Sequence, residues 1–129
     1  MIVLDTHAWI WWTNESTSLS QKALDAIEQT DLIGIPAISC WELAMLVSKG
    51  RVGLSMDVQV WIETSLQRPN VTLLTLTPQI AVLSTQLPGG FHGDPADRLI
   101  VASSLVHQSP LVSKDEKIQQ WGHLQVIWS

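Results

Sequence analysis

The sequence contains little that would cross-link the chain or anchor it in a membrane. It has one cysteine in 129 residues, Cys40, which excludes an internal disulfide and a zinc site built on cysteines. No apolar run approaches the roughly 20 residues that span a bilayer, and the N-terminal residues lack the features of a signal peptide. We therefore expect a soluble, reduced, cytoplasmic protein without membrane association, with Cys40 as a small core residue.

Basic residues are also scarce. Seven Lys and Arg stand against twelve Asp and Glu, and the net charge of −5 has the wrong sign for a general nucleic-acid binder. Apolar residues make up 46% of the chain and charged residues 15%, which excludes a disordered acidic chain and a coiled coil. A chain of this length can bury about two-thirds of its unfolded surface, so we expect a single domain over residues 1–129.

Short apolar segments alternate with amphipathic segments along the whole chain. Strands are predicted at 2–4, 32–35, 71–76, 111–112 and 124–128. A turn or short helix is predicted at 8–12. Helices are predicted over residues 39–49 and 57–66, and further helices are predicted to begin at residues 20, 77, 94 and 115. This alternation predicts an α/β sandwich with a mainly parallel sheet, in which ligands bind beyond the carboxyl ends of the strands.

Carboxylates recur where the predicted strands end. Asp5 follows the first strand and Glu42 the second, Asp94 and Asp97 begin a buried helix, and Asp115 follows the fourth strand. Converging carboxylates repel one another unless a cation lies among them, and oxygen ligands without cysteine select Mg²⁺ or Mn²⁺. Without these five acids the remaining seven balance the seven Lys and Arg, so the cluster accounts for the whole net charge of −5.

Helix capping is a competing explanation for several of these acids. Taken singly, Glu42 and Asp94 are explained as helix caps and Asp115 as part of a solvated face, whereas Asp5 at the tip of a buried strand is harder to explain in this way. The capping-box pattern, a serine followed three residues later by a glutamate, occurs at Ser39-x-x-Glu42 and at Ser113-x-x-Glu116. Because the acids fall at four junctions of one predicted edge, we favour a metal site.

Four segments follow one another in a characteristic order and spacing: IVLDTH at 2–7, WELA at 41–44, HGDPADRLI at 92–100 and LVSKDEKI at 111–118. They resemble the successive motifs of PIN domains, and most closely those of the VapC-type toxins of bacterial toxin–antitoxin pairs. The resemblance covers the whole chain. It implies a three-layer α/β/α fold and a Mg²⁺-dependent endoribonuclease, with Mn²⁺ as a substitute, that hydrolyses RNA by metal-activated water.

The resemblance also implies roles for individual acids. Asp5, Glu42 and Asp97 match the first three acids of the family, and Asp115 matches the fourth, so that all four are expected to be catalytic and to bind the metal. Asp94 lies outside this quartet, and we expect it to cap its helix with a supporting role at the site. The partners implied are an RNA substrate, a cognate antitoxin protein and a second copy in a homodimer.

Other polar and aromatic residues are secondary candidates. Lys49, Arg51, Lys114 and Lys117 are candidates for phosphate contacts, and His92 is expected to be an ordinary loop residue within reach of substrate. Trp41 and Trp61 fall on helix faces and are expected in the core. At least one of the clustered tryptophans should be exposed or at an interface, because a single short helix cannot turn all of them inward: Trp9, Trp11 and Trp12.

Three other functions are compatible with acids at strand ends or at helix starts. A haloacid-type phosphatase needs Asp-x-Asp after the first strand, and the sequence there is Asp5-Thr6-His7. A response-regulator receiver needs an aspartate at the end of a middle strand, where Thr77-Pro78 stands instead. The remaining alternative is a non-catalytic, PIN-like protein-binding module whose acids only cap helices; it differs from the nuclease in having no metal-induced stabilisation.

Overall fold

The apolar segments form a five-stranded sheet in the computed structural model, which describes residues 1–91 and 93–129. The strands lie in the order β3-β2-β1-β4-β5, and each neighbouring pair is parallel. Their bounds are β1 Ile2–Leu4, β2 Ile33–Pro36, β3 Val71–Leu74, β4 Leu111–Val112 and β5 Val126–Ile127. The predicted parallel sheet is confirmed, but β3 and β5 are shorter than predicted, because each is an edge strand that pairs on one side.

Helices follow the strands and flank the sheet. Their bounds are α1 Thr6–Thr13, α2 Gln21–Gln29, α3 Ala37–Ser48, α4 Val58–Leu66, α5 Pro78–Ser84, α6 Pro95–Val106 and α7 Glu116–Trp121. In the described part of the chain, no helix is long and apolar enough to cross a membrane. The predicted helices are all present, and the tryptophan-rich segment is a helix of two turns rather than an isolated turn.

Helix α3 begins earlier than the sequence pattern predicts. It starts at Ala37 directly after β2, and Pro36 occupies the N-cap position without a side-chain hydrogen bond. The predicted capping box of Ser39 and Glu42 is therefore wrong, because both residues lie inside the helix. Ser39 instead accepts a buried hydrogen bond from the Thr6 hydroxyl, with 3.0 Å between the oxygens, which ties the start of α1 to α3.

Two hydrophobic clusters cover the two faces of the sheet. Strand β1 lies between them, and its side chains alternate, so that Ile2 and Leu4 belong to one cluster and Val3 to the other. The first cluster is completed by buried residues of α1 to α4, and the second by residues of α6 and α7. This arrangement is the predicted three-layer α/β/α fold, and the half-buried Cys40 packs against the first cluster.

The tryptophans divide between the core and the surface. Trp61 is buried as predicted, and Trp9 is buried with its indole N–H donating to the Ser65 hydroxyl at 2.8 Å. Trp11 and Trp12 are half-buried, which fits the expectation that α1 cannot turn all its tryptophans inward. The expectation for Trp41 is wrong, since 55% of this side chain is exposed. Helix α3 is apolar on most sides, and its sequence alone does not identify the face that turns outward.

Candidate metal centre

The predicted acids converge on one cleft beyond the carboxyl ends of β1 and β4. Asp5, Glu42, Asp97 and Asp115 all line this cleft, whose volume is about 560 Å³. Asp94 also lines it, although the sequence pattern set this residue outside the quartet. The acids come from four different elements, so only the parallel arrangement of the strands brings them together. We call this feature the acidic cleft.

Three of the acids form the tightest group. Glu42, Asp94 and Asp97 each offer a carboxylate oxygen, and these three oxygens lie within 4.8 Å of one another. Asp94 and Asp97 are three residues apart across the first turn of α6, and Glu42 approaches them from the second turn of α3. The spacing of Asp94 and Asp97 was a usable signal for this grouping, because residues three apart at a helix start lie on the same side.

Capping hydrogen bonds fix the orientation of the aspartates. Asp5 caps α1, where its Oδ1 accepts from the Ala8 amide at 2.9 Å, so capping accounts for Asp5 more readily than its place after a buried strand suggested. Asp115 caps α7 by accepting from the backbone amides at 117 and 118, at 2.8 and 3.2 Å. It is therefore more than part of a solvated face. Asp94 caps α6 as predicted, and its Oδ1 accepts from the Asp97 amide at 2.8 Å.

Ser113 interacts with two of these acids, Asp5 and Asp115. Its side chain is buried, and its Oγ accepts a hydrogen bond from the Asp115 amide at 3.1 Å. Its hydroxyl also acts on Asp5, where it lowers the pKa of the carboxyl against the effect of burial. The predicted capping box of Ser113 and Glu116 is wrong, because the N-cap of α7 is Asp115. Ser113 instead follows β4 directly, and its hydroxyl oxygen holds the backbone amide of Asp115.

Arg98 holds the loop that leads into α6. Its guanidinium donates to the carbonyls of Phe91 at 2.8 Å, Gly93 at 3.3 Å and Ser84 at 3.3 Å. Gly93 has little room for a side chain, because an added methyl group would lie 2.9 Å from the Cβ of Asp97 and closer still to the Phe91 ring. These contacts fix the start of α6, and thereby Asp94 and Asp97. The sequence pattern did not indicate this role for Arg98.

Two carboxyl groups of the acidic cleft, those of Asp5 and Asp97, have raised pKa values. Burial raises the pKa of Asp5, and hydrogen bonds from Ser113 and Ala8 oppose that rise. The pKa of Asp97 is raised from 3.8 to about 7, first by burial and then by the negative charges of its acidic neighbours, Asp94, Asp115 and Glu42. Carboxyl groups whose pKa is raised by burial and by like charges are characteristic of functional sites.

Aromatic and basic side chains also line the acidic cleft. Trp11, His7 and Lys114 line it, and the Lys114 ammonium lies 5.8 Å from the centre of the Trp11 ring. Of the four predicted phosphate contacts, Lys114 therefore lies at the cleft. Lys49, Arg51 and Lys117 are not among its described lining residues, and His92 lies outside the described part of the chain.

Comparison with known proteins connects this geometry to a family. The model of the PIN domain matches residues 2–124. The chain is 38% identical over 122 residues to ribonuclease VapC22 of Mycobacterium tuberculosis, covering 95% of this chain and 92% of that protein. Its fold resembles VapBC2 from Rickettsia felis bound to a promoter DNA fragment, with a TM-score of 0.73, 19% identity and full coverage of both chains.

A second solved structure shows the same architecture. A toxin–antitoxin complex from Klebsiella pneumoniae matches with a TM-score of 0.68 and 18% identity, over 98% of this chain and 95% of that chain. At such identities the structural similarity establishes the shared fold. The match to VapC22 adds similarity of sequence over nearly the whole length of both proteins.

Proposed function

Because this chain belongs to the PIN-domain family, we propose that it is a metal-dependent endoribonuclease of the VapC type, the toxin of a toxin–antitoxin pair. The observation that carries the proposal is the close group of carboxylate oxygens from Glu42, Asp94 and Asp97, in a chain homologous to a VapC ribonuclease. Asp5 and Asp115 line the same cleft and complete the set of acids.

The acidic cleft fits a divalent cation of the Mg²⁺ or Mn²⁺ class. Its ligand atoms are carboxylate oxygens, which hard cations prefer, and no sulfur is present among the described lining residues. The raised pKa values of Asp5 and Asp97 support this fit, because a cation would offset the cost of ionising both groups. We propose Glu42, Asp94 and Asp97 as direct ligands of the cation, with Asp5 and Asp115 binding it directly or through water.

The chain's own residues prepare the cleft for a phosphodiester. When bound, the cation would activate water for attack at phosphorus and neutralise charge on the phosphate oxygens. The capping bonds hold the aspartates in place before substrate arrives, so little reorganisation is needed. Lys114 adds positive charge at the rim, where an RNA phosphate would otherwise meet acids alone.

Cleavage of total cellular RNA by the purified chain tests this function. We expect cleavage with Mn²⁺ or Mg²⁺, none with EDTA, and none by Asp97→Asn, a substitution that keeps the shape of the side chain. An exposed aspartate on α2 provides the matched control, Asp25→Asn, which should cleave like the parent chain. Cleavage that survives EDTA or Asp97→Asn would contradict the proposed site.

The non-catalytic alternative makes a different prediction in the same preparation. If the acids served only as helix caps, Mn²⁺ would not raise the melting temperature of the chain, whereas a metal site predicts a rise. Two of the acids argue against the capping explanation, because Glu42 and Asp97 cap no helix. We therefore give the nuclease precedence.

The partners proposed are an RNA substrate, a cognate antitoxin and a second copy of this chain, in the cytoplasm. The antitoxin is supported by the solved structures of similar fold, two of which include toxin–antitoxin assemblies. For the homodimer, exposed apolar side chains such as Trp41, Leu76 and Val82 provide surface that a second copy could cover. Sedimentation of the chain with and without its antitoxin would distinguish these assemblies.

A further inference from the structure

Some side chains that line the acidic cleft carry no oxygen that could bind a cation. Trp11, from the middle of α1, lines the cleft together with Lys114, which precedes the capping residue of α7. We infer that Trp11 is a stacking platform for one unpaired base of the RNA, with Lys114 contacting a neighbouring phosphate. This inference rests on the proposed ribonuclease function and names the two residues that would position a nucleotide of the unpaired RNA at the cleft.

The indole of Trp11 is available to such a base. The side chain is half-buried, and it borders the acidic cleft on one side and a second cavity of about 330 Å³ on the other. Its aromatic neighbours, His7 and Trp128, are tilted to it by 50° and 51°, with ring centres 5.6 and 5.8 Å away. Neither neighbour therefore covers a face of the indole in a parallel stack.

Lys114 supplies the charge that a nucleotide needs in the acidic cleft. Among the described residues that line the acidic cleft, it is the one lysine or arginine, facing five carboxylates. The side chain is exposed, and its ammonium lies 5.8 Å from the Trp11 ring centre, near the outer limit of a cation–π contact. An ammonium held so loosely can turn to a phosphate while the base lies on the indole.

Stacking of a base on the Trp11 ring would distinguish unpaired RNA from paired RNA. A paired base is already stacked within a helix and does not offer its face to a protein ring, whereas bases in loops and single strands do. Stacking also tolerates any base, since each has a π face. The geometry therefore favours unpaired RNA without demanding one sequence.

Binding of a short RNA tests the platform separately from cleavage. The probe is a fluorescein-labelled oligoadenylate, its anisotropy is measured with Mn²⁺ present, and every variant carries Asp97→Asn so that the probe is not cut. Trp11→Leu preserves an apolar side chain against the core but removes the ring, and Trp11→Phe preserves a ring. We expect Trp11→Leu to weaken binding by roughly fivefold to a hundredfold and Trp11→Phe to retain most of the affinity.

A matched control is provided by the next residue of the same helix. Trp12 faces the second cavity, where the Arg68 guanidinium lies 4.0 Å from its ring centre. Trp12→Leu should change the affinity by no more than about twofold. The same oligonucleotide with its bases removed, and its duplex with oligouridylate, should bind the parent weakly and be insensitive to Trp11→Leu.

The outcomes separate this inference from the proposed function. Equal affinities of Trp11→Leu and its parent for oligoadenylate would overturn the stacking platform, even if the chain with Asp97 intact cleaves RNA. An absence of measurable binding by the parent would overturn it as well. A chain that binds oligoadenylate through Trp11 but never cleaves RNA would retain the subsite and refute the nuclease.

Discussion

Asp97 makes the metal-free chain sensitive to pH, and its replacement should stabilise the fold. Its pKa is about 7 in the folded chain, against 3.8 for an ordinary aspartate. Between these values the folded state holds a proton that the unfolded state has lost, so stability falls as pH rises from about 4 to about 7. Above pH 7 the whole penalty is present, because both states are then ionised.

The size of the penalty follows from the shift. At 1.36 kcal/mol per pKa unit the full shift would amount to about 4 kcal/mol. Asp97 is partly exposed, and screening by solvent reduces this to on the order of 2 kcal/mol. For a chain of this size, that corresponds to roughly 5–10 °C in melting temperature. Asp97→Asn removes the charge while leaving the capping bond that the Asp97 amide donates to Asp94.

Thermal unfolding in EDTA, followed by circular dichroism at pH 5 and pH 8, measures this effect. We expect Asp97→Asn to melt above the parent at pH 8 and the difference to fall to less than half at pH 5. The control Asp25→Asn makes the same chemical change at an exposed position and should show no pH-dependent difference. A difference of equal size at both pH values, or destabilisation at pH 8, would refute the electrostatic explanation.

Three further predictions concern the other parts of the site. Asp5→Asn should abolish RNA cleavage while the melting temperature in EDTA holds or rises, because asparagine still caps α1; Asp5→Ala should lose about 1 kcal/mol of unfolding free energy in urea. Mn²⁺ should raise the melting temperature of the parent chain, and the rise should vanish in the Glu42→Gln, Asp97→Asn double variant. Arg98→Met should lower kcat for RNA cleavage and reduce the free energy of unfolding in urea by about 1–3 kcal/mol, since it leaves carbonyls unpaired. Arg98→Lys should retain part of the kcat that Arg98→Met loses. An unchanged kcat in Arg98→Met would exclude a positioning role.

The fold was predictable because local and long-range signals agree. Each strand is a short apolar run, each connection is helical, and parallel pairing follows from that alternation. The ends of elements were less predictable, as α3 shows. Pro36 ends β2 and caps α3 at once, so the helix starts without a loop and without a polar cap. A serine and a glutamate three residues apart inside that helix resemble a capping box, although neither lies at its start.

The sequence predicted which acids belong to the site, but it did not predict which of them lie closest together. Asp5 and Asp115 could be placed at one edge because Asp5 directly follows β1 and Asp115 comes three residues after the end of β4, and these strands are parallel neighbours. The grouping of Asp94 with Glu42 depends on the packing of α3 against α6, which no local pattern encodes. Trp11 is a similar case, since its position on the cleft wall depends on how α1 lies against the sheet.

Capping and metal binding are compatible duties for these aspartates. A carboxylate has two oxygens, and Asp5, Asp94 and Asp115 each use Oδ1 for the helix amides. No described helix amide donates to the second oxygen of any of the three, and all three residues line the acidic cleft. Glu42 lies in the second turn of α3 and caps no helix, and Asp97 accepts no capping bond, although its place in the first turn of α6 is favoured by the helix dipole. Their proximity costs free energy without a cation, and a metal-binding function explains why the fold retains it.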